Sequence, residues 1–126
     1  MAVWWTMLVT NVLLVPGIMI LAGYFMYKHP PKEINGLMGY RTRRSMMNQD
    51  TWTFAHDLCG RIWMRAGTVM LAAALVIQLL LLGRSEDIVG NVSLIITMAE
   101  VAGLIASIFP VEKALKATFA ENGTRK

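Results

Sequence analysis

The chain has 126 residues, enough for one domain; 56% of them are apolar and only 16% are charged. That composition is unusual for a soluble domain and ordinary for a membrane protein, and the basic residues behind the net charge of +4 flank long apolar runs, which argues against nucleic acid binding. The single cysteine, Cys59, excludes an internal disulfide, and no Cys/His cluster has metal-ligand spacing, so we expect no metal and no cofactor.

Three apolar segments are predicted to span the membrane as helices: residues 3–27, 66–82 and 88–109. Each is long enough, because about 17–25 residues cross the hydrocarbon core. The Pro16-Gly17 pair is expected to kink the first helix, since proline removes a backbone hydrogen bond. We expect Pro30 and Pro31 to end that helix and Pro110 to end the third. The prediction is a single all-α membrane domain over residues 1–126, with a short loop at 83–87 and a charged amphipathic tail at 110–126.

Residues 28–65 connect the first two spans and contain an amphipathic helix. Asn48 is expected to cap it. Its apolar face is predicted to contain Trp52, Ala55, Cys59, Ile62, Trp63 and Ala66, and its polar face Asp50, Asp57, Arg61 and Arg65. This helix is expected either to lie along the membrane interface, giving an interfacial helix between the first two spans, or to rise continuously into the second span, with Gly60 or Gly67 marking a bend.

The lysines and arginines predict the orientation of the chain. None precedes the first span, seven lie in residues 28–65, Arg84 alone lies in the second loop, and four lie in the tail. The cytoplasmic side of a membrane protein carries the excess of basic residues. We therefore expect the N-terminus outside, residues 28–65 and the C-terminus inside, and the chain in a bacterial cytoplasmic membrane.

The turn before the amphipathic helix concentrates basic and polar groups. Tyr40, Arg41, Thr42, Arg43, Arg44 and Ser45 follow one another directly. Guanidinium groups suit phosphate or carboxylate, so the cluster is either a binding site for an anionic group or a set of orientation signals resting on anionic lipid headgroups. His56, one turn after Trp52, either takes part in proton or anion chemistry or hydrogen-bonds to a neighbouring loop.

Glu100 lies near the middle of the third span, where an ionised carboxylate costs at least ~2.5 kcal/mol. It shares a stripe with Ser93, Thr97, Gly103 and Ser107, and the first span has a comparable stripe. That second stripe is predicted to consist of Thr6, Thr10, Gly17 and Tyr24. The two stripes, with Gln78, either line a path for protons or cations or hydrogen-bond the helices together.

The central residues resemble a known family. Gly39 to Met46, then Asn48, Thr51-Trp52, Phe54 to His56, Gly60 and Trp63, are similar to the signature of the SdpI/YfhL family of small bacterial membrane proteins, and residues 110–123 resemble its usual ending. The resemblance implies a multi-helix protein of the cytoplasmic membrane. It also implies an immunity role, because the family takes its name from a factor that protects a cell from its own toxic peptide and holds a transcriptional repressor at the membrane.

The leading hypothesis is a non-enzymatic immunity or resistance protein with a cytoplasmic-side site. The site residues expected are Tyr40, Arg41, Arg43, Arg44, Ser45, Asn48, Trp52, His56 and Trp63. A toxin arriving from outside would meet residues 83–87 and the lipid-facing helices, so this site is better suited to a lipid headgroup, a regulator or another subunit. The first alternative is a small proton- or cation-linked transporter or channel using Glu100, which would require a homo-oligomer; an enzyme acting on a lipid phosphate through His56 ranks last.

Overall fold

The computed structural model describes residues 1–30, 32, 34 and 39–126. Its helices are α1 (Ala2–Leu8), a π-helical stretch (Val9–Leu14), α2 (Val15–Lys28), α3 (Gln49–Leu80), α4 (Glu86–Ala106) and α5 (Ile108–Thr118). Three continuous helical segments are long and apolar enough to cross a membrane: Ala2–Lys28, Gln49–Leu80 and Glu86–Thr118. The predicted all-α chain with three such helices is confirmed.

The first long helix is irregular directly before Pro16. Residues Val9–Leu14 form a π-helix, and α2 then starts at Val15. Proline cannot donate to the carbonyl four residues earlier, and its ring presses on that carbonyl. The turn before Pro16 is therefore π-helical, and the kink expected at the Pro16-Gly17 pair stays a prediction. The helix ends at Lys28 and Pro30 follows it, whereas Pro31 lies outside the described residues.

Helix α3 runs without a break for 32 residues, so the amphipathic segment and the second span are one helix. This arrangement matches the expectation of a segment that rises continuously into the second span, and α3 continues through both Gly60 and Gly67. The expected faces are present: Trp52, Ala55 and Cys59 are buried, whereas Arg61 and Arg65 are exposed. Whether its first turns lie along a membrane surface stays a prediction.

The prediction that Pro110 ends the third helix is wrong. The chain leaves α4 at Ala106, passes Ser107, and re-enters a helix at Ile108, so that Pro110 is the third residue of α5. Proline is tolerated in the first turn of a helix, because N–H groups there have no acceptor within the helix. The amphipathic tail is therefore helical as far as Thr118, and Val111 and Leu115 on one face of α5 are buried.

The chain divides into two units. Unit 1 contains Met1–Leu21 and Met64–Leu104, and unit 2 contains Ala22–Trp63 and Ile105–Lys126. In unit 1 the apolar core contains Trp4, Leu81 and Val89. In unit 2 it contains Met26, Tyr40, Ala55, Cys59, Val111, Leu115 and Phe119. All of the family-like residues from Gly39 to Trp63 lie in unit 2, and Glu100 lies in unit 1.

Candidate functional site

The start of α3 is fixed by a reciprocal cap. The backbone N–H of Thr51 donates to Asn48 Oδ1 at 2.9 Å, and the backbone N–H of Asn48 donates to Thr51 Oγ1 at 3.1 Å. Two N–H groups that the first turn of a helix leaves without partners are satisfied in this way. The predicted capping role of Asn48 is confirmed, and the residue at which α3 begins is set by side chains of the motif itself.

The basic turn before α3 is held by hydroxyl groups. Ser45 Oγ donates to the carbonyl oxygen of Tyr40, at 3.0 Å, and accepts from the backbone N–H of Thr42, at 2.8 Å. Thr51 Oγ1 lies 3.0 Å from the carbonyl oxygen of Ser45, which ties the turn to the first turn of α3. Ser45 is fully buried. Its side chain therefore stabilises the turn from the interior and is not accessible to a ligand.

His56 links α3 to this turn through both ring nitrogens. Its Nε2 accepts the backbone N–H of Tyr40 at 2.9 Å, and its Nδ1 lies 2.8 Å from the carbonyl oxygen of Trp52. Because Nε2 accepts, Nδ1 carries the hydrogen and donates to Trp52. The imidazole is fully buried and its ring centroid lies 4.2 Å from that of Trp52. This is the hydrogen-bonding role to a neighbouring loop that the sequence left open as one of two alternatives.

Gly39 is the residue that lets the turn approach His56 this closely. Its φ of +95° is one that side-chain-bearing residues rarely adopt, and a Cβ there would lie 2.2 Å from His56 Nε2. A methyl group at position 39 would therefore displace the imidazole from the N–H of Tyr40. The glycine of the motif is explained by the space that the histidine occupies.

Tyr40 connects the turn to helix α5. Its side chain is buried, and its hydroxyl donates to Glu112 Oε1 at 2.8 Å. Arg44 Nε lies 3.7 Å from the other oxygen of Glu112. Burial, and then the hydrogen bond to Glu112, raise the pKa of Tyr40 above its usual value, so the phenol stays a neutral donor. Glu112 therefore positions both a tyrosine and an arginine of the motif.

The C-terminal residues hold the start of α3 from another side. Asn48 Nδ2 donates to the carbonyl oxygen of Gly123 at 2.7 Å. Arg125 binds Asp50 with two hydrogen bonds, from Nε at 2.7 Å and from Nη2 at 2.8 Å. Its guanidinium carbon also lies 5.0 Å from the ring centroid of Phe119. Both partners of the ion pair are about half exposed, so the pair contributes little stability by itself and serves mainly to orient the tail.

The predicted site residues separate into an interior group and a surface group. Tyr40, Ser45, Trp52 and His56 are buried and linked, directly or through Asn48 and Thr51, by the hydrogen bonds above. Trp63 is further along α3, and its indole N–H donates to Ser107 Oγ at 2.9 Å. Arg41 and Arg43 are exposed, and Arg44 is half-buried. The interior group therefore forms a scaffold that holds the turn, and the arginines of the turn lie on its surface.

A surface groove lies beside these arginines. It has a volume of about 300 Å³ and is lined by Arg43, Arg44, Met47, Glu112 and Glu121. The groove carries two guanidinium groups and two carboxylates, so a ligand with an anionic group would contact the arginine side. Glu112 and Gly123 lie in the tail that resembles the family's ending, but the sequence did not assign them to the site, because nothing in the order of residues shows that the tail folds onto the motif.

The polar residues of unit 1 form a different network from the one predicted. Thr6 and Thr10 donate to carbonyl oxygens of their own helix, at 2.9 Å each; Thr6 is exposed and Thr10 is half-buried. The first helix instead contributes Asn11, which is fully buried and lies in the π-helical stretch. The predicted stripe of Thr6, Thr10, Gly17 and Tyr24 is therefore wrong as an inward face. The π-helical turn changes the angular spacing of residues along the helix, which a regular α-helical spacing cannot anticipate.

Asn11 is hydrogen-bonded to Gln78 and to helix α4. Gln78 Nε2 donates to Asn11 Oδ1 at 2.7 Å and to Ser93 Oγ at 2.8 Å. Asn11 Nδ2 donates to Thr97 Oγ1, at 2.8 Å. These bonds hold the helices of unit 1 together. Of the two alternatives left open for the polar residues, a path for protons or cations and hydrogen bonds between helices, they match the second. Glu100 is buried on the same face of α4, and its carboxylate oxygens have no hydrogen-bond partner among the described residues.

Among the residues that the structure describes, no three His, Cys, Asp or Glu side chains are grouped to hold a metal ion. Cys59 is buried and free within the same part of the chain. The described geometry thus consists of a hydrogen-bonded scaffold with surface arginines in unit 2 and an amide and hydroxyl network with one acid in unit 1.

Comparisons with known proteins place these features in a family. The model of the SdpI/YfhL protein family matches residues 32–111, which include the basic turn, the whole of α3 and Glu100. An uncharacterized protein, YfhL of Bacillus subtilis (strain 168), is 34% identical over 110 residues that cover 86% of this chain and 90% of the relative. No solved structure matches the chain. With a family model over more than half of its length and a relative matched nearly end to end, the chain belongs to the SdpI/YfhL family.

Proposed function

We propose that this protein is a non-enzymatic resistance protein of a bacterial cytoplasmic membrane, which protects the cell from a membrane-active toxic peptide. The observation that carries the proposal is the family match, which covers the whole basic turn and its scaffold. The role is the one expected of the family that is named after an immunity factor. Three helices that are long and apolar enough to span a bilayer suit a protein that acts within the membrane.

The arginines are the proposed contact surface of unit 2. Arg41 and Arg43 are exposed and Arg44 borders the groove. The backbone that carries them is fixed because Ser45 donates to the carbonyl oxygen of Tyr40 and His56 accepts the N–H of Tyr40. A rigid turn with several guanidinium groups suits anionic lipid headgroups or the acidic surface of a membrane-held regulator. The fixed backbone favours a recognition role, because little ordering entropy is lost when a preorganised surface binds.

The state of His56 supports a function without catalysis. Its two ring nitrogens are both engaged in hydrogen bonds, and the ring is fully buried. A general base or a nucleophile needs a ring nitrogen within reach of a substrate. His56 instead holds the turn in place through these two hydrogen bonds.

The proposed orientation places the N-terminus outside and the arginine surface inside. In a Cys59→Ala background, we expect a membrane-impermeant maleimide to label Ser85→Cys in intact cells and to label Thr124→Cys only after the membrane is opened. The expectation follows from the eleven basic residues in segments 28–65 and 110–126 against Arg84 alone in the second loop. Labelling of Thr124→Cys in intact cells would invert the orientation and remove the cytoplasmic role of the arginines.

The resistance itself is tested in a cell that is sensitive to membrane-active peptides. We expect expression of the chain to raise the peptide concentration that stops growth, and Arg43→Gln to lower that protection at least about fivefold while the amount of protein in the membrane stays the same. Five-fold corresponds to the loss of about 1 kcal/mol, as expected for one charge-assisted contact.

The matched control is Arg61→Gln. This substitution removes the same charge from the same unit, but Arg61 is paired with Asp57 on the polar face of α3 and does not line the groove. Protection should therefore survive it. Equal losses of protection from both substitutions would show that net charge matters and the basic turn does not. If the unaltered chain protected against none of the membrane-active peptides tested, the resistance role would be refuted.

A further inference from the structure

The donors of the network in unit 1 are fully used. Both N–H groups of the Gln78 amide are taken by Asn11 Oδ1 and Ser93 Oγ. The amide of Asn11 donates to Thr97 Oγ1 and to the carbonyl oxygen of Ser93, and the hydroxyl of Thr97 donates to that same carbonyl oxygen at 3.0 Å. Every amide N–H of the network is therefore engaged.

The acceptors of this region are in excess. Three buried side-chain oxygens have no hydrogen-bond partner among the described residues, namely Gln78 Oε1 and both carboxylate oxygens of Glu100. Gln78 is fully buried and Glu100 is 4% exposed. Ser93, Thr97 and Glu100 are spaced by four and then three residues on α4, which places Glu100 on the face that carries the network. The amide of Asn11 lies near enough to interact with this acid, although outside hydrogen-bond geometry, and the acid lacks a positively charged partner.

No charged residue of unit 1 supplies that partner. The remaining titratable groups of unit 1 are the amino group of Met1 and the side chains of Arg65, Arg84, Glu86 and Asp87, and all five residues are exposed. A proton neutralises a single carboxylate and also converts one of its oxygens into a donor. Metal ions in proteins are held by several ligands at once, and no three His, Cys, Asp or Glu side chains are grouped together among the described residues.

From this excess of acceptors we propose that Glu100 is a reversible proton-binding site inside the membrane-spanning part of unit 1, held on the Asn11, Gln78, Ser93 and Thr97 network. The ligand is the proton itself, which the carboxyl group binds and releases without any metal. This site is independent of the arginine surface, since it lies in a different unit and uses none of the motif residues that the resistance role requires.

Dicyclohexylcarbodiimide tests the proposal on the purified, unaltered protein. This apolar reagent adds to a carboxyl group only when the group is protonated, and it partitions into apolar surroundings. We expect peptide mapping by mass spectrometry to find the adduct at Glu100, and the labelling rate to fall by up to about tenfold per pH unit once the pH exceeds the point of half-protonation. Glu86→Gln, which removes an exposed acid of the same helix, should leave the Glu100 adduct unchanged.

Two results would overturn the assignment. One is a folded protein in which Glu100 takes no label between about pH 5 and about pH 9, where a buried carboxyl that exchanges its proton would be expected to react. The other is protection by sodium chloride but not by choline chloride of the same ionic strength, which would identify a sodium site instead. An infrared carbonyl band of a protonated acid that Glu100→Gln abolishes would support the proton independently of the reagent.

Discussion

Gly60→Ala is expected to destabilise the protein by about 3 kcal/mol, because the backbone of another segment of unit 2 fills the space that a side chain would need. A Cβ at position 60 would lie 2.6 Å from the carbonyl oxygen of Gly23 and 2.7 Å from the backbone nitrogen of Tyr27. Backbone atoms cannot rotate away as a side chain can. The helix containing Met26 would have to move away from α3 and open the core of unit 2.

The free energy of unfolding, measured by titrating sodium dodecyl sulfate into protein in mild detergent micelles, checks this expectation. The matched control is Gly90→Ala in α4, where a Cβ meets no atom within 4 Å. Alanine is favoured over glycine inside a helix by up to about 1 kcal/mol, so Gly90→Ala should be neutral or stabilising. If Gly60→Ala were equally harmless, the close approach of the two segments would be incorrect.

Gly39→Ala is expected to cost about 3 kcal/mol of stability and to abolish protection against the toxic peptide. About 1–2 kcal/mol comes from forcing a side chain into a left-handed backbone conformation. The rest comes from displacing His56, which leaves the buried N–H of Tyr40 without an acceptor, at about 1–3 kcal/mol. The turn that presents Arg41 and Arg43 would lose its attachment to α3, so the effect on protection should exceed the effect on stability.

Gly83→Ala separates these two contributions. Gly83 has a φ of +84°, close to that of Gly39, but a Cβ there meets nothing within 4 Å. Only the backbone strain is introduced, and we expect a loss of about 1 kcal/mol with protection retained. The same detergent titration and growth assay measure both variants. Equal losses of stability at positions 39 and 83 would mean that the contact with His56 contributes nothing.

Local features of the chain could be predicted from the sequence. The three long helices follow from runs of apolar residues, the start of α3 follows from the capping side chain of Asn48, and the faces of α3 follow from the three- and four-residue spacing of Trp52, Ala55 and Cys59. Each of these depends on residues within one or two turns of one another. Interactions over such short distances are encoded by residue type and spacing.

The contacts that build the site could not be predicted in the same way. The hydroxyl of Tyr40 meets Glu112, 72 residues away, and the amide of Asn48 meets the carbonyl oxygen of Gly123, 75 residues away. Pairing over such separations depends on how the helices pack, not on local spacing. The prediction for Pro110 failed for a different reason. A proline can end one helix, but it fits the first turn of another equally well, and the sequence does not distinguish the two cases.

The π-helical stretch Val9–Leu14 should allow the first long helix to lose one residue. A turn closed by hydrogen bonds to the fifth residue holds about one residue more than an α-helical turn, and such turns can accommodate a single extra residue in an otherwise regular helix. Removing one residue at Thr10 should therefore be absorbed by conversion of this stretch to an α-helix, at the expense of the direction in which Asn11 points. Homologues that are one residue shorter here would keep the span and would have to anchor Gln78 by some other side chain.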